Sequence, residues 1–467
     1  MIFSCRNGRY RKPVKMGKTF LFCLFFFFLP LSFYFSAACA ATCVTTECHQ
    51  SIVQTAQVHQ PVAEEECSVC HVQESVEHPV KSGKSFVLAE KGAGLCYQCH
   101  DALNVKKTVH DPVEGGDCLE CHRPHGSDGL YLLDVKEDQK ALCGGCHEEE
   151  TSADDYVHGP AASGACTSCH DAHQSDEKSL LKQETRTLCF TCHSYFEQGI
   201  KSAKTIHAPV KDKDCTLCHQ PHSGAYPDLL TEEMPDICIS CHDEIGRRYK
   251  KVKTRHSALF IKRKCGNCHV SHFSDTDNLN KSATEMDLCL TCHGEDDYSK
   301  SDALRNIKKE LEGKAYIHGP IEENKCAVCH DPHGSDNFRL LSGSYPATFY
   351  AYYEKDTYEF CLKCHEKILL FPDTSIYTNF RNGKQNLHYL HVARRKGRTC
   401  RTCHEPHASN WPKLINDKGA SFGSWRIPIR FVLTENGGSC APGCHGSKDY
   451  DRKDPVSYQS PLEKIEN

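Results

Sequence analysis

The sequence predicts a mostly irregular fold, with short α-helices at its functional sites and a few short strands near the C-terminus. It is organised as a repeat array whose interior is not built from aliphatic side chains. Three observations lead there. Hydrophobic residues make up 39 % of the 467 positions, and removing the 33 Cys leaves about 32 %, against ~45–50 % in ordinary globular domains. A large protein-only core is therefore excluded. The chain also carries 33 Cys and 30 His. Finally, these residues recur at a nearly constant period, which is how repeat architectures show in a sequence.

Thirteen segments read Cys-x-x-Cys-His. They are Cys67, Cys70 and His71; Cys96, Cys99 and His100; Cys118, Cys121 and His122; Cys143, Cys146 and His147; Cys166, Cys169 and His170; Cys189, Cys192 and His193; Cys215, Cys218 and His219; Cys238, Cys241 and His242; Cys265, Cys268 and His269; Cys289, Cys292 and His293; Cys326, Cys329 and His330; Cys361, Cys364 and His365; and Cys400, Cys403 and His404. Two more are stretched: Cys43-Val-Thr-Thr-Glu-Cys48-His49 and Cys440-Ala-Pro-Gly-Cys444-His445. These fifteen motifs use 30 Cys, and the other three, Cys5, Cys23 and Cys39, lie before residue 41. No disulfide framework is left over.

Cys-x-x-Cys-His is the attachment motif of c-type haem. The two thiols add to the two porphyrin vinyl groups, and the adjacent His supplies the proximal nitrogen to the iron. A single copy would be as compatible with half a zinc site. Fifteen copies, each with His directly after the second Cys, point to fifteen covalent haems.

The remaining His give independent support. His59, His78, His110, His125, His158, His173, His207, His222, His256, His272, His318, His333, His388, His391 and His407 lie outside the motifs, fifteen spare His for fifteen haems. Bis-His ligation at every iron would use them all. Met is the other common sixth ligand, and only Met234 and Met286 lie outside the first 40 residues.

The repeated unit reads His, about eight residues, Cys-x-x-Cys-His-x-x-His, a linker, and a second Cys-x-x-Cys-His. First cysteines stand at 67, 118, 166, 215, 265, 326 and 400, at intervals of 51, 48, 49, 50, 61 and 74. Seven two-haem units follow a single haem at Cys43. In the first unit His78, seven residues past His71, replaces the usual His three residues on. The spacing limits ligation. His125 is three residues past His122 and cannot travel round a porphyrin to its other face, so it must serve another haem. The same holds for His173, His222, His272, His333 and His407. Upstream His such as His110, twelve residues before His122, have enough chain to reach either their own haem or another. His388 falls outside the repeat register; if it is no ligand, one haem is open.

The N-terminus addresses the compartment. Arg6, Arg9, Arg11, Lys12, Lys15 and Lys18 precede an apolar run from Phe20 to Phe35 and the small-residue segment 36–41. Residues 1–40 read as a secretory signal peptide. Alternatives are an uncleaved anchor, although the run is short for a span of ~20 residues, and a lipid anchor at Cys39. Residues 41–467 carry 50 basic and 61 acidic side chains, and haem propionates would add negative charge. Nucleic acid is not an expected partner. Basic clusters at 247–264 and 394–401 would either pair with propionates or dock an acidic redox partner.

The doubled motifs resemble the multihaem c-type cytochromes of bacteria that respire metals and other extracellular acceptors. The resemblance covers residues 41–446. It implies covalently bound haem c and electron transfer in the periplasm, at the outer membrane or outside the cell, in anaerobic or extracellular respiration. It also implies redox proteins as donor and acceptor, an inner-membrane or periplasmic donor among them, and in some relatives self-assembly into filaments. The expectation is an electron carrier without substrate chemistry. The alternatives are an oxidoreductase with one open haem, acting on a nitrogen or sulfur oxyanion, and a filament subunit. Along the chain we expect residues 1–40 as signal, 41–109 with three haems, 110–300 as regular two-haem repeats with eight, and 301–467 as repeats with insertions and four. Residues 303–313 predict a longer helix, with Leu304, Ile307 and Leu311 on one face. Residues 427–433 predict an edge strand containing Pro428. The aromatic stretch 338–360 would cover haem or form a docking surface.

Overall fold

The computed structural model describes residues 43–458 except 46, 135–138, 149–153, 213, 299–303 and 373–375. The expected signal segment and Cys39 lie outside the described residues. Among the described residues no helix is long and apolar enough to cross a membrane.

One unit illustrates the rest. Thr108–Val109 is extended and leads into His110, which caps the helix Asp111–Gly115. Pro112 stands in its first turn, where a missing N–H costs nothing, and Gly116 closes it at φ 79°, a left-handed geometry that favours glycine. The first motif follows as a tight turn over Cys118–Glu120. A two-residue strand, Gly126–Ser127, comes next, and the helix Gln139–Gly144 delivers the second motif. The same order recurs from Tyr156–Val157 and from Thr205–Ile206. Structure is sparse because about 28 residues accompany each motif.

Units are joined by antiparallel ladders of two residues per strand. Gln57–Val58 pairs with Gly126–Ser127, Thr108–Val109 with Gln174–Ser175, and Tyr156–Val157 with Ser223–Gly224. Thr205–Ile206 pairs with Phe273–Ser274, Thr254 bridges to Ser335, and Tyr316–Ile317 pairs with Ala408–Ser409. Each ladder ties a unit to its immediate successor, the connectivity of a quasi-one-dimensional array.

Only ten apolar side chains are buried among the described residues. The cluster of Tyr345, Tyr358, Leu370 and Val392 sits in the C-terminal part, where insertions supply extra chain. Part of the 338–360 aromatic stretch is thus core, while Tyr350 and Tyr352 remain exposed.

Two elements differ from expectation. Residues 427–433 form two strands, Trp425–Ile427 and Phe431–Leu433, in different sheets. Pro428 cannot donate to a ladder, and Arg430 at φ 47° turns the chain. The helix expected over 303–313 is confined to Ile307–Leu311, capped by the Asn306 side chain, which accepts from Lys309 N at 3.0 Å; residue 303 lies outside the described residues.

Candidate functional site

In eleven motifs the His amide donates to the carbonyl of the first Cys at 2.9–3.1 Å. This single helical turn puts residues i, i+3 and i+4 on one side, so both thiols and the imidazole face the same space. The stretched motifs lack that turn. His49 sits at φ 55°, and His445 N instead reaches Pro442 O at 3.4 Å. None of the 30 described Cys is paired in a disulfide.

A second device orients the first-motif His of six units. His122, His170, His219, His269, His330 and His404 each donate from Nδ1 to the carbonyl nine residues on, at 2.8–3.0 Å. The accepting residues, Tyr131, Ser179, Asp228, Asn278, Arg339 and Lys413, have φ of 52–61°, and the Leu after each is also left-handed. Such a conformation costs on the order of 1–3 kcal/mol per residue and persists only where surroundings hold it. The hydroxyls of Ser127, Ser175, Ser335 and Ser409 help, donating to the carbonyls of Leu133, Leu181, Leu341 and Ile415. With Nδ1 occupied, Nε2 is left facing the motif. The sequence reading missed this turn. Its signal was Tyr131-Leu132-Leu133 and its counterparts, always nine to eleven residues after the first-motif His.

The upstream His are held across unit junctions. His59, His110, His158, His207 and His256 donate from Nδ1 to the carbonyls of Pro124, Ala172, Pro221, Ser271 and Pro332, at 2.8–3.1 Å. Outer-shell hydrogen bonds of this kind fix tautomer and ring direction in metal-ligating His. Burial is the first cause that lowers the pKa of His256, His272, His293, His330, His333 and His404. Burial, with His404 and His391 nearby, holds His388 down at about 4. Neutral imidazole, the metal-binding form, is therefore favoured.

The imidazoles stand in facing pairs. Fourteen motif His each oppose one spare His, with ring centroids 5.8–6.5 Å apart. Two metal–imidazole bonds of about 2 Å each plus the ring radii fill such a gap, so the residues fit a metal held between them. The pairing follows a rule. Each upstream His faces the second motif of its own unit: His59 with His100, His110 with His147, His158 with His193, His207 with His242, His256 with His293, His318 with His365. Each His three residues past a first motif reaches back one unit: His125 to His71, His173 to His122, His222 to His170, His272 to His219, His333 to His269, His407 to His330. Own-motif pairing of the upstream His, left open by the sequence, does not occur. The ladder described above points each upstream His away from its own first motif.

The ends are closed locally. His78 faces His49. His388, which fell outside the repeat register, faces His404 at 6.5 Å and contacts Thr378 Oγ1 through Nδ1 at 3.1 Å. It stands where a further unit would place its own His. His391 stacks on Phe380 at 5.7 Å and donates to Leu387 O. Burial, followed by smaller effects that include His445, lowers its pKa.

Consecutive motifs touch. The sulfurs of Cys43 and Cys67, Cys96 and Cys118, Cys189 and Cys215, Cys238 and Cys265, Cys289 and Cys326, and Cys361 and Cys400 stand side by side. Those of Cys143 and Cys166 do the same. Between these junctions Cys70 lies near Cys96, Cys121 near Cys146, Cys169 near Cys192, Cys218 near Cys241, Cys268 near Cys292, Cys329 near Cys364, and Cys403 near Cys440. Every motif thus adjoins the next in chain order. One continuous cavity of 4980 Å³ runs from His59 to His407, several times the ~300–1,000 Å³ of a single small-molecule pocket. It is lined by Cys and His of the eleven motifs from Cys96 to His365 together with Leu, Ile, Val and Pro side chains.

Thiol pairs beside imidazole pairs, strung along a continuous cavity, define a multihaem c-type cytochrome that carries electrons on covalently bound haem. The family model for the doubled CXXCH motif matches residues 59–105, 110–152, 158–198, 207–247, 258–298, 318–369 and 391–422. These segments cover more than half of the chain, which belongs to that family. A search of curated proteins finds no match.

Proposed function

We propose that the protein is a fifteen-haem electron conduit of the periplasm or cell surface, serving anaerobic or extracellular respiration, and that electrons move along it in chain order. Bound haem c supplies one-electron redox chemistry. The chain supplies spacing, insulation and tuning. The observation that carries this reading is the unbroken succession of adjoining motifs, eleven of which, from Cys96 to His365, line one cavity. The thirty motif Cys would hold the porphyrins, and the motif and spare His would fill the axial positions. With an imidazole on each side, a bound iron would keep its ligands in both oxidation states, so little would rearrange on transfer.

Two measurements test it. Intact mass should exceed the processed polypeptide by fifteen haems, and the ferric spectrum should be low-spin. A mass short by one haem would mean that an end motif, Cys43–His49 or Cys440–His445, is unused. Dominant high-spin bands would overturn the conduit. One observation favours a second reading, an oxidoreductase with a single exchangeable site: His391 stacks on Phe380 rather than facing His445. That reading expects a minor high-spin fraction in the same spectrum.

Ligation across units has its own test. His222 faces His170 of the preceding unit. His222→Met should raise the potential of one haem, since Met is the weaker donor, and leave all attachments intact. An unchanged redox titration would contradict the pairing.

Donor and acceptor are proposed to be other redox proteins. The exposed stretch of Arg247, Lys250, Lys251, Lys253, Arg255, Lys262 and Arg263 stands out on an acidic chain and suits an acidic partner. Export rests on the signal segment, and Cys39 is the candidate lipid site.

A further inference from the structure

Thirteen His direct Nδ1 to a backbone carbonyl. His407 faces a carboxylate instead. Its Nδ1 is buried and makes no hydrogen bond as it stands, with Glu310 Oε2 3.5 Å away. Glu310 is itself held by a fork: Arg305 Nε donates to Oε1 at 2.7 Å and Arg305 Nη2 to Oε2 at 2.6 Å. The His407 and Glu310 side chains are each only 20 % exposed, so water screens the contact weakly.

The carboxylate arrives on an insertion. From second-motif His to the next upstream His the regular units have 10 to 14 residues, as from His100 to His110 and from His193 to His207. From His293 to His318 there are 25. The added chain carries the helix Ile307–Leu311, with Glu310 in it, onto the strand Ala408–Ser409 directly after His407.

We propose that Glu310 tunes one site of the array: by taking the Nδ1 proton of His407 in a hydrogen bond it lowers the reduction potential of the haem held between His330 and His407. This rests on the axial pairing proposed above. The physical cause is twofold. An imidazole that donates to an anion becomes a more basic ligand through its other nitrogen, and a nearby negative charge favours the more positive, ferric state. Arg305 opposes the second effect while it orients the carboxylate. The twelfth haem is then less readily reduced than it would be with a carbonyl acceptor, so an electron held there between the eleventh and thirteenth is raised in energy.

The test is a potentiometric titration of the full holoprotein, followed by optical absorbance and by EPR of the ferric haems. In Glu310→Gln one fraction of the signal, the size of a single haem, should move to higher potential, with a change in one low-spin EPR species. In Arg305→Gln the same fraction should move to lower potential. A merely structural role would shift both variants the same way or broaden many haems. His407→Met separates the two layers of the reading. If it raises one haem's potential while Glu310→Gln moves nothing, the tuning is refuted and the pairing stands. If His407→Met moves nothing, both are refuted.

Discussion

Chain produced without haem attachment will be disordered. A buried apolar side chain contributes about 1.5–3 kcal/mol, while fixing one residue's backbone costs about 1–2 kcal/mol. A stable chain therefore needs apolar burial spread through its length. Among the described residues ten apolar side chains are buried, and four of them form one cluster near the C-terminus. Large apolar residues that would fill an ordinary core, such as Leu119, Leu217 and Val328, are more than half exposed in the polypeptide alone. The porphyrin faces must supply the missing burial along the 4980 Å³ cavity, so attachment and folding are coupled. Circular dichroism of purified apoprotein should show little regular structure and no cooperative melting. A sharp thermal transition would mean that the polypeptide has a self-sufficient core, and the small size of the Tyr345 cluster makes that outcome the decisive one to look for.

The holoprotein will be elongated in solution. A compact globule of residues 41–467 would have a radius of gyration of about 22 Å by size scaling. The two-residue ladders link only neighbouring units, and each reaching His crosses one junction, as His173 does to His122. Nothing in that pattern brings the first unit to the last. X-ray scattering of the monomer should give a radius well above the compact value and a skewed distance distribution. A symmetric distribution near 22 Å would favour a cluster that stores electrons over a conduit that moves them.

Chemistry was legible in the sequence because haem attachment is local. Two thiols and a His within five residues share one helical turn, so spacing alone identifies Cys118, Cys121 and His122 as a site. Local geometry also made it plain that His125 must leave its own motif, because three residues are too few to round a porphyrin. The thin apolar content announced an interior filled by something other than side chains, and the doubled motifs announced the repeat.

Long-range pairing was not legible. Nothing local distinguishes His110 facing His122 from His110 facing His147. The choice is made by the ladder of Thr108–Val109 with Gln174–Ser175, which aims the ring. His388 looked stray because its partner His404 is reached through a helix in an insertion, not through the repeat. The strand expected through Pro428 was wrong about continuity, since that proline and the left-handed Arg430 break it. The carboxylate beside His407 needed the fold of residues 304–318 against the following unit. The sequence by itself determined the class of cofactor, the CXXCH motifs that carry it and the repeat, all set by chemistry within a few residues. Only the tertiary structure decided which imidazoles face each other, in what order the sites touch and where a charge meets a ligand, because those depend on strands and turns that meet across unit boundaries.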